Sequence, residues 1–171
     1  YYNNVKIKPL NKEEARVMQV KGLPDNPKLT NFSWSPDQSK IALTNTTSEG
    51  VEAWVLDIPS ATVTKITDAR LNANVGDVIN WFEDGQSLLV KMVASNRKPL
   101  INTETAVPTG PTISVNDGKK AQNRTYQDLL KNKNDEHNFE QLALSELYQV
   151  SLDGTKEKWL ASDMYSSITF S

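Results

Sequence analysis

The chain has 171 residues and a formal net charge of −2, and its 37% hydrophobic and 23% charged residues are typical of soluble globular domains. A nearly neutral charge provides no basic field for a phosphate backbone or an anionic membrane surface, so we expect neither nucleic acid nor membrane as a partner. The absence of cysteine excludes disulfides and thiolate metal sites.

The first predicted elements are two short β-strands, at residues 4–8 and 15–20, separated by the polar run Asn11-Lys12-Glu13-Glu14. They precede a tract that recurs later in the chain. The distance along the chain from these two strands to the tract equals the distance from the outer two strands of one repeat to the tract of the next repeat. We therefore assign residues 1–22 to a preceding repeat.

The recurring tract runs from Trp34 to Leu43 and again from Trp81 to Val90. Each copy combines an aromatic-ended strand, an Asp-centred turn and a second apolar strand. Aligning the two tryptophans gives a period of 47 residues, from position 34 to position 81, which is typical of propellers and solenoids.

Two further strands are predicted between the tryptophans, at residues 52–57 and 62–67, with a turn at Pro59-Ser60. Four strands per period form a propeller blade. The sequence therefore predicts an all-β fold, a partial β-propeller with blade one at residues 29–67 and blade two at residues 76–160.

Blade two contains a long insertion. Its third strand is predicted at residues 145–151, and the turn Asp153-Gly154 leads into the fourth. About 47 extra residues separate its second and third strands, from roughly 94 to 144. The first part is turn-rich, whereas Thr125 is a plausible helix N-cap followed by the apolar Tyr126, Leu129 and Leu130. Residues 139–143 are expected to continue as helix.

The last residues, 167–171, match the pattern of residues 31–35. We expect residues 165–171 to begin the next blade and the chain to be a truncated piece of a longer repeat protein. Two blades cannot close a ring, so exposed sheet edges and faces are expected to cause self-association.

Most apolar strand residues of the blades are expected to pack between sheets rather than to bind a ligand, because alternation along a strand directs them to its two faces. Asp37 and Asp84 are expected to form turns rather than a metal or catalytic site. The residues assigned to inter-blade packing are Trp34, Ile41, Leu43, Trp54, Leu56, Trp81, Leu88 and Val90.

Catalytic signatures are missing. No Gly-x-Ser-x-Gly elbow is present, so no nucleophile can be assigned. The single histidine, His137, has acidic neighbours that could orient a base, but a solvated helix surface is the favoured interpretation. One His and no Cys do not make a compact set of metal ligands, so no metal or other cofactor is expected. Lys119, Lys120 and Arg124 form a basic cluster whose default interpretation is a solvated surface.

The tract Trp34-Ser35-Pro36-Asp37, with Ile41-Ala42 downstream, resembles the repeats of TolB-type propellers and of prolyl oligopeptidase-family serine peptidases. Three runs of the insertion resemble the glutamyl endopeptidase branch of that family, as does Gly22-Leu23-Pro24. Gln38 and Phe82-Glu83 depart from the repeat pattern. The three runs are Val107-Pro108-Thr109-Gly110-Pro111-Thr112, Gly118-Lys119-Lys120-Ala121 and Arg124-Thr125-Tyr126-Gln127-Asp128-Leu129-Leu130-Lys131.

The resemblance implies a non-catalytic propeller that gates or selects peptide substrates for a C-terminal α/β-hydrolase domain outside this chain, in a serine endopeptidase that cleaves after Glu. Arg124, with Tyr126 beside it, is the candidate for binding the substrate carboxylate. The alternative is a TolB-like, non-enzymatic propeller that binds a protein partner. An extracytoplasmic location is favoured over a cytoplasmic one.

Overall fold

The structure, a computed structural model, describes residues 1–10, 16–102, 130 and 132–170. The described part of the chain forms ten strands and one helix. In chain order these are β1 Lys6–Ile7, β2 Met18–Gln19, β3 Leu29–Trp34, β4 Lys40–Thr46, β5 Val51–Asp57, β6 Thr62–Lys65, β7 Ile79–Trp81, β8 Ser87–Val93, α1 Lys133–Ala143, β9 Leu144–Ser151 and β10 Lys156–Met164.

Strands β1 and β2 pair in a small antiparallel sheet of their own, and the other eight strands form two four-stranded antiparallel sheets in which neighbours follow chain order. Blade one is β3-β4-β5-β6 and blade two is β7-β8-β9-β10. Strands β4 and β5 pair without interruption from Lys40↔Asp57 to Thr46↔Val51. Two successive four-stranded meanders are the arrangement of adjacent propeller blades. The predicted all-β, partial-propeller fold is confirmed.

The main hydrophobic core lies between the two blades. Ala42 and Val55 of blade one pack with Trp81, Leu88 and Val90 of blade two, and all five side chains are buried. These residues lie on one face of each sheet because each strand alternates its side chains between faces. Inter-blade packing therefore explains the apolar side chains of this face.

Trp81 connects the two sheets directly. Its indole Nε1 donates a hydrogen bond to the carbonyl oxygen of Ser33 on the edge strand of blade one, at 3.0 Å, and only 8% of the residue is exposed. The turn that follows Trp81 also approaches blade one, since a Cβ added at Gly85 would lie 3.7 Å from Pro36 Cδ. Trp81 and its turn thus fix blade two against blade one.

The opposite face of blade one is covered only in part. Leu43, Leu56 and Val63 form a second core, and Val5, Ile7, Val20 and Leu23 from the N-terminal region pack against it. Trp34 differs from the prediction that it packs between blades, because 57% of it is exposed. The N-terminal region pairs with blade one at both edges, through the bridges Lys21↔Thr62 at β6 and Tyr2↔Leu29 at the start of β3, whereas Trp34 at the end of β3 is exposed.

The two Asp-centred turns use the same geometry. The Asp37 carboxylate accepts hydrogen bonds from Ser35 Oγ at 2.6 Å and Ser39 Oγ at 2.7 Å, which lower the pKa of that carboxyl below its usual range. Gln38 has a φ of 58° and Gly85, at the matching place in blade two, a φ of 63°. Gly is favoured there because it has no Cβ. Both aspartates act as turn residues.

Residues 98–142 form a compact unit separate from the unit of residues 1–97 and 143–171. Helix α1 supplies the helix expected at residues 139–143. Its N-cap is Asn132, whose Oδ1 accepts hydrogen bonds from the amides of Asn134 and Asp135 at 2.9 and 3.0 Å. The earlier helical prediction, with Thr125 as its cap, lies outside the described residues except for Leu130, which is exposed.

Residues 165–170 are not part of a strand, although they contact blade two. Phe170 packs on Phe82 with ring centroids 4.9 Å apart, and the Ser166 carbonyl accepts a hydrogen bond from the Asp77 amide at 3.1 Å. A strand needs a neighbour with which to pair, and none is present here in the described ranges. That these residues begin a next blade, and residues 1–22 end an earlier one, stays a prediction.

Candidate functional site

Most of the site residues predicted from the sequence lie outside the described residues. Arg124 and Tyr126 fall in the segment 103–129, as do Lys119 and Lys120, and the structure adds nothing to them. His137 is described. It lies on α1, half-buried, with its Nε2 3.1 Å from the carbonyl oxygen of Pro99 in the same unit. This contact connects α1 to Pro99, shortly after β8, which favours a structural role for His137.

A cleft of about 680 Å³ lies at one end of the inter-blade groove. Its walls come from Tyr1, the start of β3, the end of β4 with the turn at residues 49–51, the segment 69–74 that connects the blades, Val93 at the end of β8, and Arg97. This volume falls in the range of ligand pockets, roughly 300–1,000 Å³. The cleft lies wholly within the unit that contains both blades, and the insertion follows Arg97 directly in the chain.

The blade-one wall of the cleft is polar and rigidly bonded. The hydroxyl of Thr44, which is fully buried, lies 3.0 Å from the Thr30 hydroxyl and accepts a hydrogen bond from Asn31 Nδ2 at 3.0 Å. Asn31 has a φ of 52° at a bulge in the β3–β4 pairing. Asparagine adopts this left-handed backbone more readily than most residues, because its short polar side chain can form local hydrogen bonds, as Asn31 does with Thr44.

Arg97 lines the cleft and carries a positive charge. It is half-buried, and its backbone amide donates to the Ala94 carbonyl at 3.3 Å, which fixes the turn that carries it. The ion pairs within the described part of the chain involve other residues: Lys65 with Glu52, Lys156 with Asp68, and Lys158 with Glu146. Among the residues that the structure describes, the guanidinium of Arg97 forms no ion pair.

A buried glutamate stabilises the outer half of blade two. The Glu146 side chain is 4% exposed, and its carboxylate accepts hydrogen bonds from Lys158 Nζ at 3.0 Å, Ser95 Oγ at 2.8 Å, Ser162 Oγ at 3.2 Å and the Tyr148 hydroxyl at 3.1 Å. Burial raises the pKa of Glu146, but these four donors outweigh it and lower the pKa to about 2. The Glu146 side chain is therefore an anion, and each of these four side chains donates a hydrogen bond to it.

Blade one has the equivalent arrangement at Glu52. Its carboxylate accepts from Trp54 Nε1 at 2.9 Å and Asn45 Nδ2 at 3.3 Å, and pairs with Lys65 Nζ at 3.3 Å. Each blade thus places a glutamate two residues before an aromatic on its third strand and a lysine on its fourth. Sequence reasoning aligned the aromatics but missed the glutamates, although this spacing was the signal that could have found them.

The described residues contain no group of three or more His, Cys, Asp or Glu side chains that could hold a metal ion. The cleft brings together hydroxyls, an amide and a guanidinium, which recognise polar and anionic groups. No helix among the described residues has the length and apolar character needed to cross a membrane.

Comparison with curated proteins identifies relatives over most of the chain. The sequence is 32% identical over 164 residues to a protein of Arabidopsis thaliana named probable glutamyl endopeptidase, chloroplastic, a match that covers 88% of this chain and 16% of the relative. This chain is a homologue of part of that protein. A protein of the same name from Oryza sativa subsp. japonica is 29% identical over 159 residues, covering 87% of this chain and 17% of the relative. The predicted resemblance to glutamyl endopeptidases is confirmed, and the chain spans about one sixth of their length. No protein-family model matches the chain.

Solved structures similar to the chain have lower sequence identity. TolB from Acinetobacter baumannii is 15% identical, with 90% of this chain and 25% of that chain covered and a TM-score of 0.42. Acylaminoacyl peptidase from Pyrococcus horikoshii is 16% identical, with coverage of 95% and 28% and a TM-score of 0.40. The β-propeller domain of the trilobed protease from Pyrococcus furiosus is 17% identical, with coverage of 95% and 50% and a TM-score of 0.37.

Proposed function

We propose that this chain is the non-catalytic propeller portion of a serine endopeptidase that prefers Glu, and that it selects or gates peptide substrates for an α/β-hydrolase domain elsewhere in the parent protein. The observation that carries the proposal is the 32% identity to a probable glutamyl endopeptidase over 88% of the chain. The polar inter-blade cleft, with the guanidinium of Arg97, supports a role in peptide binding.

The two relatives are named as chloroplastic, and a chloroplast is a compartment separate from the cytosol. We extend the proposal to location: the parent protein works outside the cytoplasm. Tagging the parent protein and fractionating the cells tests this, and recovery in the cytosolic fraction alone would contradict it.

Arg124 is proposed to bind the Glu carboxylate of the substrate, with Tyr126 beside it. Because a charge-assisted, bidentate pair with a carboxylate is among the stronger polar contacts, Arg124→Ala in the full-length parent should lower kcat/KM for cleavage after Glu by about ten- to hundredfold. Cleavage of a matched substrate with Gln at that position should change little. The measurement is steady-state hydrolysis of the two fluorogenic peptides.

Lys119→Ala is the matched control for Arg124, since it removes a charge from the same basic cluster and should leave the Glu-to-Gln ratio unchanged. Unaltered kinetics in Arg124→Ala would reject the role of Arg124. Absence of any peptidase activity in the parent protein would reject the proposed function and favour the non-enzymatic, TolB-like alternative.

We also propose that the isolated chain self-associates through its uncovered blade faces. Trp34 and Phe32 are exposed on β3 of blade one, and Trp159, Leu160 and Phe170 are exposed on or beside blade two. Exposed apolar surfaces of this kind mark association sites. Sedimentation velocity over a concentration series should show larger species as concentration rises, and Trp34→Lys should suppress them.

Phe139→Lys is the control for self-association, because Phe139 is exposed to a similar extent but lies on α1 in the other unit. It should leave the association of the chain unchanged. A monomer throughout the concentration series would refute self-association.

A further inference from the structure

We propose that Asn138 and Gln141 are positioning residues for the selection of peptide substrates. Their side-chain amides close the neck of the insertion, which consists of residues 98–101, after β8, and of α1, which leads back to β9. This inference rests on the proposed function. It gives the two residues a role that acts through the placement of the insertion rather than through contact with the substrate.

Residues 98–101 belong to no strand or helix, yet their backbone is hydrogen-bonded to α1. The Lys98 amide donates to Gln141 Oε1 at 2.8 Å, and only 4% of Gln141 is exposed. Backbone polar groups outside regular structure need partners of this kind or water. At the neck the partners come from side chains of the returning helix.

Asn138 bonds this backbone as a neighbouring strand would. Its Oδ1 accepts from the Ile101 amide at 2.7 Å, and its Nδ2 donates to the Ile101 carbonyl oxygen at 2.8 Å. In an antiparallel sheet, a hydrogen-bonded pair of residues exchanges the same two bonds. One side chain thus holds both backbone groups of the last residue of the segment.

The bonded side chains lie on one face of α1. Gln141 is three positions after Asn138 and four after His137, spacings that make side chains neighbours on a helix. The contact of His137 Nε2 with the Pro99 carbonyl oxygen adds a third attachment. Because a carbonyl only accepts, Nε2 carries the proton of that bond. The neck is therefore closed by three adjacent polar side chains.

Polar bonds rather than apolar packing hold the neck together. No described residue of the unit 98–142 belongs to either hydrophobic core. Leu100, Ile101 and Phe139 are all exposed. Regions with few buried apolar contacts open locally most easily, so the hydrogen bonds of Asn138 and Gln141 decide how often the neck opens.

Blade two does not need the neck for its own pairing. Strands β8 and β9 pair as far as Val93↔Ser145, and the Ala94 amide donates to the Leu144 carbonyl oxygen at 3.5 Å. All four residues lie in the unit that contains the blades. Substitution of Asn138 should therefore loosen the neck and leave the sheet intact.

Hydrogen exchange followed by NMR on the 171-residue chain tests the closure of the neck. Asn138→Ala should speed exchange of the Ile101 amide about tenfold, and Gln141→Ala should do the same at Lys98. Asn138→Asp keeps the acceptor of the Ile101 amide and loses the donor to its carbonyl, so it should retain part of the protection. Circular dichroism verifies that the sheets remain folded.

Steady-state kinetics of the full-length parent protein test the positioning role. Asn138→Ala should lower kcat/KM for an octapeptide containing Glu about tenfold, mainly through KM, because the insertion no longer meets the peptide in one arrangement. Hydrolysis of a small Glu ester, which has no extended chain to select, should stay unchanged. Asn138→Asp should recover part of the loss. Glu140→Gln, which changes an exposed α1 residue outside the polar face, is the matched control and should behave as the native protein.

Two results would overturn the positioning role and leave the peptidase proposal standing. One is native peptide kinetics in Asn138→Ala despite faster exchange at Ile101. The other is an equal loss for the octapeptide and the ester, which would indicate general destabilisation. A native parent protein that hydrolyses neither substrate would instead reject the proposed function, and the role of the neck in substrate selection with it.

Discussion

Replacement of Trp81 by alanine is expected to lower the free energy of unfolding by about 3–5 kcal/mol, the range for a large aromatic residue removed from a core. The side chain is buried between the blades, and its Nε1 donates to the Ser33 carbonyl at 3.0 Å. The substitution removes the packing of the ring and leaves that carbonyl without the indole donor. Urea unfolding followed by circular dichroism measures the loss.

Trp34→Ala is the matched control, because Trp34 ends the first strand of blade one as Trp81 ends the first strand of blade two. Trp34 is 57% exposed, so its replacement should cost about 1 kcal/mol or less. Trp81→Phe should fall between the two, since it keeps most of the apolar area and loses a hydrogen bond of about 1 kcal/mol. Equal losses for Trp34→Ala and Trp81→Ala would contradict the observed packing of the blades.

Replacement of Glu146 by alanine is expected to destabilise the chain by about 2–3 kcal/mol, because it removes the buried acceptor of four hydrogen bonds, whereas Lys158, which is 48% exposed, can be solvated. Ser95, Tyr148 and Ser162 lose the same acceptor. Glu157→Ala, on the exposed strand β10, is the control and should change stability by no more than about 0.5 kcal/mol. Urea unfolding at neutral pH measures both, and a loss in Glu146→Ala as small as that of the control would show that the carboxylate is not part of a buried network.

The same carboxylate makes stability depend on pH in a defined direction. The pKa of Glu146 is lowered from 4.5 to about 2 in the folded chain, so its contribution is complete above pH 4.5 and is lost as the pH falls towards 2. The difference in unfolding free energy between the native chain and Glu146→Gln should therefore be constant above pH 4.5 and shrink below it. A difference that grows on acidification would have the wrong sign.

The repeat made the fold predictable from the sequence. The positions of the strands follow from a local pattern that occurs twice: an aromatic residue, an Asp-centred turn and an apolar strand. The turns at Asp37 and Asp84 form through hydrogen bonds to residues no more than two positions away. Sheet order then follows from short connections between successive strands, except that β8 and β9 pair across the insertion. The insertion was predictable from spacing alone, and its helix α1 from apolar residues at helical intervals.

The site was less predictable because it depends on contacts between residues distant in sequence. Arg97 and Asn31 are 66 positions apart and come together only because the two blades pack face to face. Trp34 and Trp81 occupy equivalent places in sequence, and only the presence of a packed sheet beside Trp81 makes one buried and the other exposed. The ion pairs of Glu52 and Glu146 could be predicted only by knowing which lysine lies on the adjacent strand.

The packing of the two blades is tested most directly by hydrogen exchange of the tryptophan indole N–H groups. The exchange is followed by NMR at concentrations where the chain is monomeric, and Trp→Phe variants assign each indole signal. Trp81 Nε1–H, buried and bonded to Ser33, should exchange far more slowly than that of Trp34. Equal, rapid exchange at Trp81 and Trp34 would contradict the face-to-face packing of the two blades and the cleft that depends on it.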